Sequence, residues 1–139
     1  MNAPIANIYQ EIAATLNDLI PEEWAKVHLY AEGWEGYSTE YFYYEPTSGE
    51  TPVLSFEIPE RFGLDEEDFE DREDQLRKLA LSLQQMFIEQ GQDPWSNMTF
   101  VLEPSGKFYI EYGYEDMSEV DPGKQREAWK AKYGIEAGT

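Results

Sequence analysis

The feature that most constrains the fold is one long stretch with helical periodicity in the middle of the chain. The segment GLDEEDFEDREDQLRKLALSLQQMFIEQG (63–91) spaces its apolar residues three or four positions apart, as amphipathic helices do. The apolar stripe consists of Phe69, Leu76, Leu79, Leu83, Met86 and Phe87. A helix with one apolar stripe must cover another apolar surface, so this segment predicts a sheet or a second helix beside it.

Short segments with strand character stand on both sides of this helix. Before it, we expect strands at KVHLYAEGW (26–34), TEYFYYEP (39–46) and TPVLSFEIP (51–59), which are rich in β-forming residues or have proline near both ends. After it, NMTFVLE (97–103) and KFYIEYGYE (107–115) flank PSG, which is typical of a hairpin turn. The predicted sheet is therefore antiparallel, with a three-strand meander and a hairpin.

Two further helices are expected near the ends of the chain. Residues 4–20 carry isoleucine and leucine at helical spacing, and Pro21 prevents the helix from continuing. Asp121 and Pro122 form a cap and first turn for a short C-terminal helix at 122–133, which Gly134 ends. The predicted fold class is α+β, a single domain over residues 1–139 with its helices packed mainly on one face of the sheet.

Net charge is the most unusual property of the composition. The chain has 29 acids and 10 bases, a formal charge of −19. Such a field repels nucleic acid and anionic membranes and attracts cationic partners, although it also serves solubility. Four bases cluster near the C-terminus beside two aromatics, and we expect them to fold back onto the acidic body: Lys124, Arg126, Lys130 and Lys132, next to Trp129 and Tyr133.

The sequence offers little for catalysis or cofactor binding. It has no cysteine, which excludes disulfides, thiolate metal sites and cysteine nucleophiles. His28 is the only histidine, and no G-x-S-x-G segment, P-loop or dinucleotide-binding glycine pattern is present. We expect a protein that is not an enzyme and has no cofactor, with His28 structural or merely exposed.

Dense carboxylates leave one alternative open. The runs DEEDFEDRED (65–74) and EDMSEVD (115–121) contain enough oxygen ligands for Mg²⁺ or Ca²⁺. Neither run has the alternating acidic positions and central glycine of an EF-hand loop, and most of the first run would fan around a helix. We expect no metal site, and a carboxylate-dependent enzyme or cation-binding protein is the less favoured reading.

The first twenty residues, MNAPIANIYQEIAATLNDLI, bear on targeting. They lack a basic n-region, and Glu11 and Asp18 interrupt the apolar residues. This pattern matches neither a signal peptide nor a membrane span. We expect an unprocessed cytoplasmic protein.

Two acidic segments are the candidates for partner binding. Residues 57–74 hold ten acids and two bases, and residues 109–121 hold five acids and no base. Aromatic residues lie next to both segments, and interfaces favour aromatic anchors with complementary charge around them. The candidate binding residues are Tyr109, Glu111, Glu115, Asp116, Glu119, Glu66, Glu67, Glu70 and Asp71.

Alternation along the last strand sorts the second segment into two rows. Phe108, Ile110, Tyr112 and Tyr114 are expected to face the core, which leaves Tyr109, Glu111 and Glu115 on the open face. Asp116 and Glu119 follow in a loop, and Asp121 serves as a helix cap. Glu115 and Asp116 are expected to have no local structural role, so they are free to meet a partner.

Several separate blocks of the sequence match one family in order. They are LNDLIPEEWAKVHLYAE (16–32), YFYYEP (41–46), IPERF (58–62), PWSNMTFVLEPSGKFYIEYGYED (94–116) and REAWKAKY (126–133). The chain resembles the YezG-like immunity proteins, antitoxins of Firmicutes encoded beside polymorphic toxins, including those with an LXG secretion domain. The resemblance covers nearly the whole chain and implies a cytoplasmic, non-enzymatic protein that neutralises a sibling toxin by binding its C-terminal toxic domain.

The sequence thus favours an immunity protein whose acidic surface occludes a basic toxin domain, with a nuclease as the expected toxin. A generic acidic interaction module with another partner is the alternative, because charge and aromatic residues alone do not name a partner. No catalytic residue follows from the resemblance.

Overall fold

The computed structural model describes residues 3–137, which form one α+β domain around a five-stranded antiparallel sheet. The elements are α1 (Ala3–Leu19), β1 (Trp24–Trp34), β2 (Tyr37–Pro46), β3 (Val53–Leu54), a 3₁₀ turn (Ser55–Glu57), α2 (Ile58–Phe62), α3 (Glu66–Glu89), β4 (Asn97–Leu102), β5 (Phe108–Gly113) and α4 (Pro122–Tyr133). The strand order is β3-β2-β1-β4-β5. The predicted fold class, with its meander, its hairpin and its three main helices, is confirmed.

The third predicted strand is wrong over most of its length. Only Val53–Leu54 pairs with β2, and the rest of the predicted segment 51–59 turns into the 3₁₀ turn and the start of α2. The Ser55 hydroxyl accepts a hydrogen bond from the Phe42 N–H (3.3 Å), where a longer strand would offer a backbone carbonyl. Pro59 fits the first turn of a helix, where its missing N–H costs nothing.

The main core lies between one face of the sheet and the helices α1 and α3. Fully buried residues from both sides meet there, such as Leu16, Leu83, Phe42 and Phe100. Arg72 of α3 ties the two helices together by donating to Asp18 at the end of α1 (2.9 Å). The apolar stripes of α1 and α3 therefore both pack against an apolar surface, as their periodicity predicts.

The short helix α4 packs on the opposite face of the sheet, whereas α1, α2 and α3 pack on the main core, so the predicted arrangement of helices mainly on one face is confirmed. Trp129 of α4 is buried against Tyr30 and Tyr43 of the sheet. Its indole N–H donates to the Thr99 hydroxyl (2.9 Å). The second face of β1 and β2 carries the aromatic residues Tyr30, Tyr41 and Tyr43 beside polar ones, and Trp129 of α4 packs on these three rings.

The core-facing row of β5 is shorter than alternation predicts. Phe108, Ile110 and Tyr112 are half-buried on the side of α1, but Tyr114 is 57% exposed. The strand ends at Gly113, so alternation no longer fixes the direction of the next side chain. The prediction that Tyr114 faces the core is therefore wrong.

Over the described part of the chain, no helix has the length and apolar character needed to cross a membrane.

Candidate partner-binding surface

Five of the predicted binding residues lie on β5 or in the loop that follows it, at one edge of the sheet. We call Tyr109, Glu111, Glu115, Asp116 and Glu119 the β5 edge surface. Tyr109 and Glu111 project from β5, and the other three lie in the loop that joins β5 to α4. All five are exposed, and Tyr109 keeps 51% of its surface accessible.

Helix α4 holds Glu111 in place. The Tyr133 hydroxyl donates to one Glu111 oxygen (2.8 Å), and the Lys132 ammonium lies 3.3 Å from the other. These two donors lower the pKa of Glu111 below its ordinary value, so this carboxylate stays ionised. The expected return of the basic helix to the acidic body is confirmed at this ion pair.

Glu115 and Asp116 also have local partners, contrary to the prediction. The Asn97 side chain donates to Glu115 (2.9 Å), and the Ser118 N–H donates to Asp116 (2.9 Å), which shapes the turn after β5. The Asn97 side chain lowers the pKa of Glu115, and the Ser118 hydroxyl together with the Ser118 N–H lowers the pKa of Asp116. The donors are neutral, so both negative charges stay available at the surface.

A groove of about 460 Å³ opens beside this surface, between the sheet and α4. Tyr30, Thr99 and Trp129 line its floor and wall, and Glu111 and Glu115 lie among its lining residues. A long cationic side chain suits such a groove, because its methylene stem can cover apolar atoms while its charged end meets a carboxylate.

The other four predicted residues lie elsewhere. Glu66, Glu67, Glu70 and Asp71 are all exposed on the first turns of α3. Glu66 and Glu70 line a small hollow with Phe56, which lies in the 3₁₀ turn after β3. Since β3 and β5 are the two outer strands, the structure does not bring the two acidic segments together.

A crowded group of carboxylates near α3 escaped the sequence-based prediction. Burial and the neighbouring carboxylates of Glu40 and Glu70 raise the pKa of Glu73 to about 7. Burial also raises the pKa of Glu40, although the Ser38 hydroxyl (3.1 Å) and Arg77 (3.6 Å) oppose this change. Glu40 lies two residues before the buried Phe42 on β2, so alternation along this strand indicates that Glu40 faces the core.

His28 has a structural environment. It is buried beside the rings of Trp129 (6.3 Å) and Tyr133 (5.7 Å), where α4 crosses the sheet. Burial, reinforced by Lys26, lowers its pKa to about 4, so the imidazole is neutral near pH 7. Within residues 3–137, no three histidine or carboxylate side chains come together in a way that could hold a metal ion.

Comparisons with known proteins agree over almost the whole chain. The family model for YezG-like immunity proteins matches residues 5–136. Immunity protein YezG of Bacillus spizizenii (strain ATCC 23059 / NRRL B-14472 / W23) is 33% identical over 135 residues, which cover 95% of this chain and 84% of that protein. Immunity protein YezG of Bacillus subtilis (strain 168) is 31% identical over 128 residues, covering 91% and 85%. Type VII secretion system protein EsaG of Staphylococcus aureus (strain NCTC 8325 / PS 47) is 28% identical over 134 residues, covering 94% and 82%.

Proposed function

The chain belongs to the YezG-like immunity protein family, and from this membership we propose that it neutralises one cognate secreted toxin by binding the toxin's C-terminal domain. Membership in an immunity protein family implies an antitoxin function. The identity of the toxin domain, the contact surface and the mode of inhibition are parts of the proposal.

The proposed toxin is a nuclease with a basic surface. A nuclease must hold phosphate groups, and it does so with lysine and arginine side chains. This chain carries a formal charge of −19, which draws such a surface in and orients it. The charge of the antitoxin is therefore complementary to the surface that the toxin needs for its own activity.

The proposed mechanism is occlusion through the β5 edge surface. Its carboxylates meet cations that would otherwise bind nucleic acid, and Tyr109 and the neighbouring Tyr114 exclude water from the contact. Both tyrosines are more than half exposed, which suits a contact that forms only in the complex. The acids at the start of α3, Glu66, Glu67, Glu70 and Asp71, add to the long-range field from the opposite edge.

We further propose that the protein is not an enzyme, needs no cofactor, and acts in the cytoplasm as one domain over residues 1–139. The family membership supports each of these points, and the buried, neutral state of His28 supports the first. Inhibition by binding requires only a folded surface.

The observation that carries the proposal is the family match over residues 5–136. The test expresses the C-terminal domain of the toxin encoded beside this gene, with and without this protein, and follows growth and the integrity of plasmid DNA and cellular RNA. Growth arrest and loss of plasmid DNA or cellular RNA are expected with the toxin domain alone, and both should disappear on co-expression. Equal arrest in both cultures would refute the antitoxin function, and rescued growth with intact plasmid DNA and intact cellular RNA in all cultures would refute only the nuclease assignment.

A further inference from the structure

The outer side of β5 is an open sheet edge. β5 is the last strand in the order β3-β2-β1-β4-β5, and no further strand among residues 3–137 pairs with it. The opposite edge is different, since β3 has only two residues before the chain turns into helix. β5 is therefore an edge strand that has no strand partner among the described residues along its whole outer side, which is long enough to accept another strand.

The hydrogen-bond pattern identifies which β5 backbone groups point outward. At the hairpin, the Glu103 N–H donates to the Lys107 carbonyl (2.9 Å), so Lys107 directs its backbone groups toward β4. Successive residues of an antiparallel strand alternate between its two sides. Phe108, Ile110 and Tyr112 therefore direct their N–H and C=O groups away from the sheet.

This edge has Glu111 as its single charged side chain and otherwise lacks the usual protection against pairing. Natural edge strands are blocked by charged side chains, above all lysine, by proline, by a bulge or by very short length. The segment FYIEYG of β5 has six residues with neither lysine nor proline, and its pairing with β4 is regular throughout. An open strand of this kind is a template for strand addition.

The two faces of β5 specify the chemistry of an added strand. On the α1 side, Phe108, Ile110 and Tyr112 are only half-buried, with Tyr9 packed against two of them. On the other side the exposed groups are Tyr109 and the acids of the β5 edge surface. One face of an added strand would thus cover the half-buried row of Phe108, Ile110 and Tyr112, and its other face would meet carboxylates.

We propose that the toxin domain contributes an extended segment that pairs with β5, with apolar residues on one face and cationic residues on the other. This inference rests on the proposed function and names the binding mode of the same surface. Main-chain hydrogen bonds to Phe108, Ile110 and Tyr112 give the contact its register, and the charged face gives it selectivity.

A second copy of this chain fits the edge poorly. Self-pairing of β5 would join two molecules of charge −19 each. It would also place both Glu111 carboxylates on the same face of the extended sheet, and like charges across strands are destabilising. The charge of the edge therefore favours a cationic strand over a homodimer.

Proline at position 110 tests the backbone contact. Ile110→Pro removes an outward N–H that β4 does not use, and edge strands tolerate proline at such positions. The control Ile110→Ala loses the side chain but keeps the N–H. Thermal melting of both variants checks folding, and calorimetric titration with an inactivated form of the adjacent gene's toxin domain measures binding.

We expect Ile110→Pro to weaken binding roughly tenfold more than Ile110→Ala, because the proline removes one hydrogen bond and obstructs its neighbours. Equal affinities for the two folded variants would overturn strand addition while leaving the antitoxin function intact. A wild-type protein that binds no toxin domain would overturn the proposed function, and this inference with it.

Residue-resolved amide exchange gives a readout that does not depend on a variant. In the free protein, the amides of Phe108, Ile110 and Tyr112 should exchange fast, and those of Tyr109 and Glu111 slowly. Binding the inactivated toxin domain should protect the first three by at least roughly tenfold and so erase the alternation. Persistent fast exchange in the complex, or a dimeric mass for the free protein, would overturn the inference.

Discussion

The two acidic regions of this protein lie at opposite edges of one sheet and hold their carboxylates in opposite ways. At the β5 edge surface, hydrogen bonds lower the pKa of Glu111, Glu115 and Asp116. Beside α3, burial and mutual repulsion raise the pKa of Glu73 and burial raises that of Glu40. Three carboxylates of the β5 edge surface are therefore stabilised in their charged form, and Glu73 and Glu40 beside α3 are destabilised in that form.

This difference shows that the density of acids in the sequence is a poor guide to their use. Residues 57–74 are the more acidic segment, yet Glu73 within it is partly buried beside the carboxylates of Glu40 and Glu70, which disfavours its charged form. The β5 edge surface has fewer acids, and each of the three with a lowered pKa has its own hydrogen-bond donor. A fixed, ionised carboxylate beside an exposed tyrosine suits recognition of a cationic partner better than a crowded one does.

Trp129→Ala should have the largest effect, because it removes the anchor of α4 and with it the support of the β5 edge surface. Truncating a buried tryptophan typically costs about 3–5 kcal/mol. Trp34→Ala is the matched control, since Trp34 stacks on exposed Tyr37 (6.0 Å) at the end of the first hairpin. Urea unfolding compares the two variants, and a similar small loss for both would refute the anchoring role of Trp129.

Glu73→Gln should stabilise the protein near neutral pH. The folded-state pKa of about 7 lies above the ordinary value of 4.5, so wild-type stability falls as pH rises from about 4.5 through 7. The amide removes this loss, and the gain at pH 8 should be about 1–2 kcal/mol once solvent screening is included. Unfolding by urea at pH 5 and at pH 8 measures it.

A control variant and the comparison of two pH values make the Glu73 result specific. Glu67→Gln removes an equal charge from an exposed position on the same helix, and its effect should be a few tenths of a kcal/mol. His28 acts in the opposite direction, because its lowered pKa makes the folded state lose stability as pH falls from 6.5 toward 4. His28 is present in wild type and variant alike, so it cancels in the difference. A gain that is the same at both pH values would exclude the crowding explanation.

The helix caps offer a third comparison of the two regions. Asp121 caps α4 by accepting from the Lys124 N–H, and Asp65 caps α3 by accepting from the Asp68 N–H, both at 2.9 Å. Replacing a cap by alanine typically costs about 1 kcal/mol. Asp65→Ala should cost less than Asp121→Ala, because it also relieves repulsion among the first acids of α3. Equal losses in urea unfolding at low salt would contradict that repulsion.

Local signals predicted most of the fold. The helical stripes, the hairpins and the cap of α4 depend on residues close together in the sequence. The prediction of the third strand is wrong over most of its length because Ser55 and Pro59 redirect the chain after only two paired residues. The predicted direction of Tyr114 is wrong because alternation ends with the strand at Gly113, and no local pattern marks that end.

The sequence predicts that the candidate residues on β5 are exposed, but it does not predict which residues surround them. Exposure of Tyr109 and Glu111 follows from alternation along one strand. Their surroundings depend on residues distant in sequence: α4 brings Lys132 to Glu111, and β4 brings Asn97 to Glu115. The crowding of Glu40 with Glu73 likewise needs β2 and α3 to be packed together. Such contacts arise only from the tertiary fold.

The smallest expected change in stability comes from Glu115→Gln combined with Asp116→Asn, which sharpens the comparison most directly. Both amides keep an oxygen that can accept the hydrogen bonds from Asn97 and Ser118, so the loop geometry is retained while two charges disappear. The free energy of unfolding should change by less than about 0.5 kcal/mol. The matched control, Glu67→Gln with Asp71→Asn, removes two charges from the start of α3.

Association kinetics with the adjacent gene's toxin domain then separate the two edges. Removing charge close to the contact should slow association several-fold at low salt and flatten its dependence on salt, because nearby charges steer the encounter. The control removes the same charge farther from β5, beyond roughly one Debye length at physiological salt, so its effect should vanish there. The β5 variant should still be slowed under those conditions. If instead only the α3 variant associates slowly, the toxin binds at the crowded edge, and the ionised carboxylates of the β5 edge surface serve the fold alone.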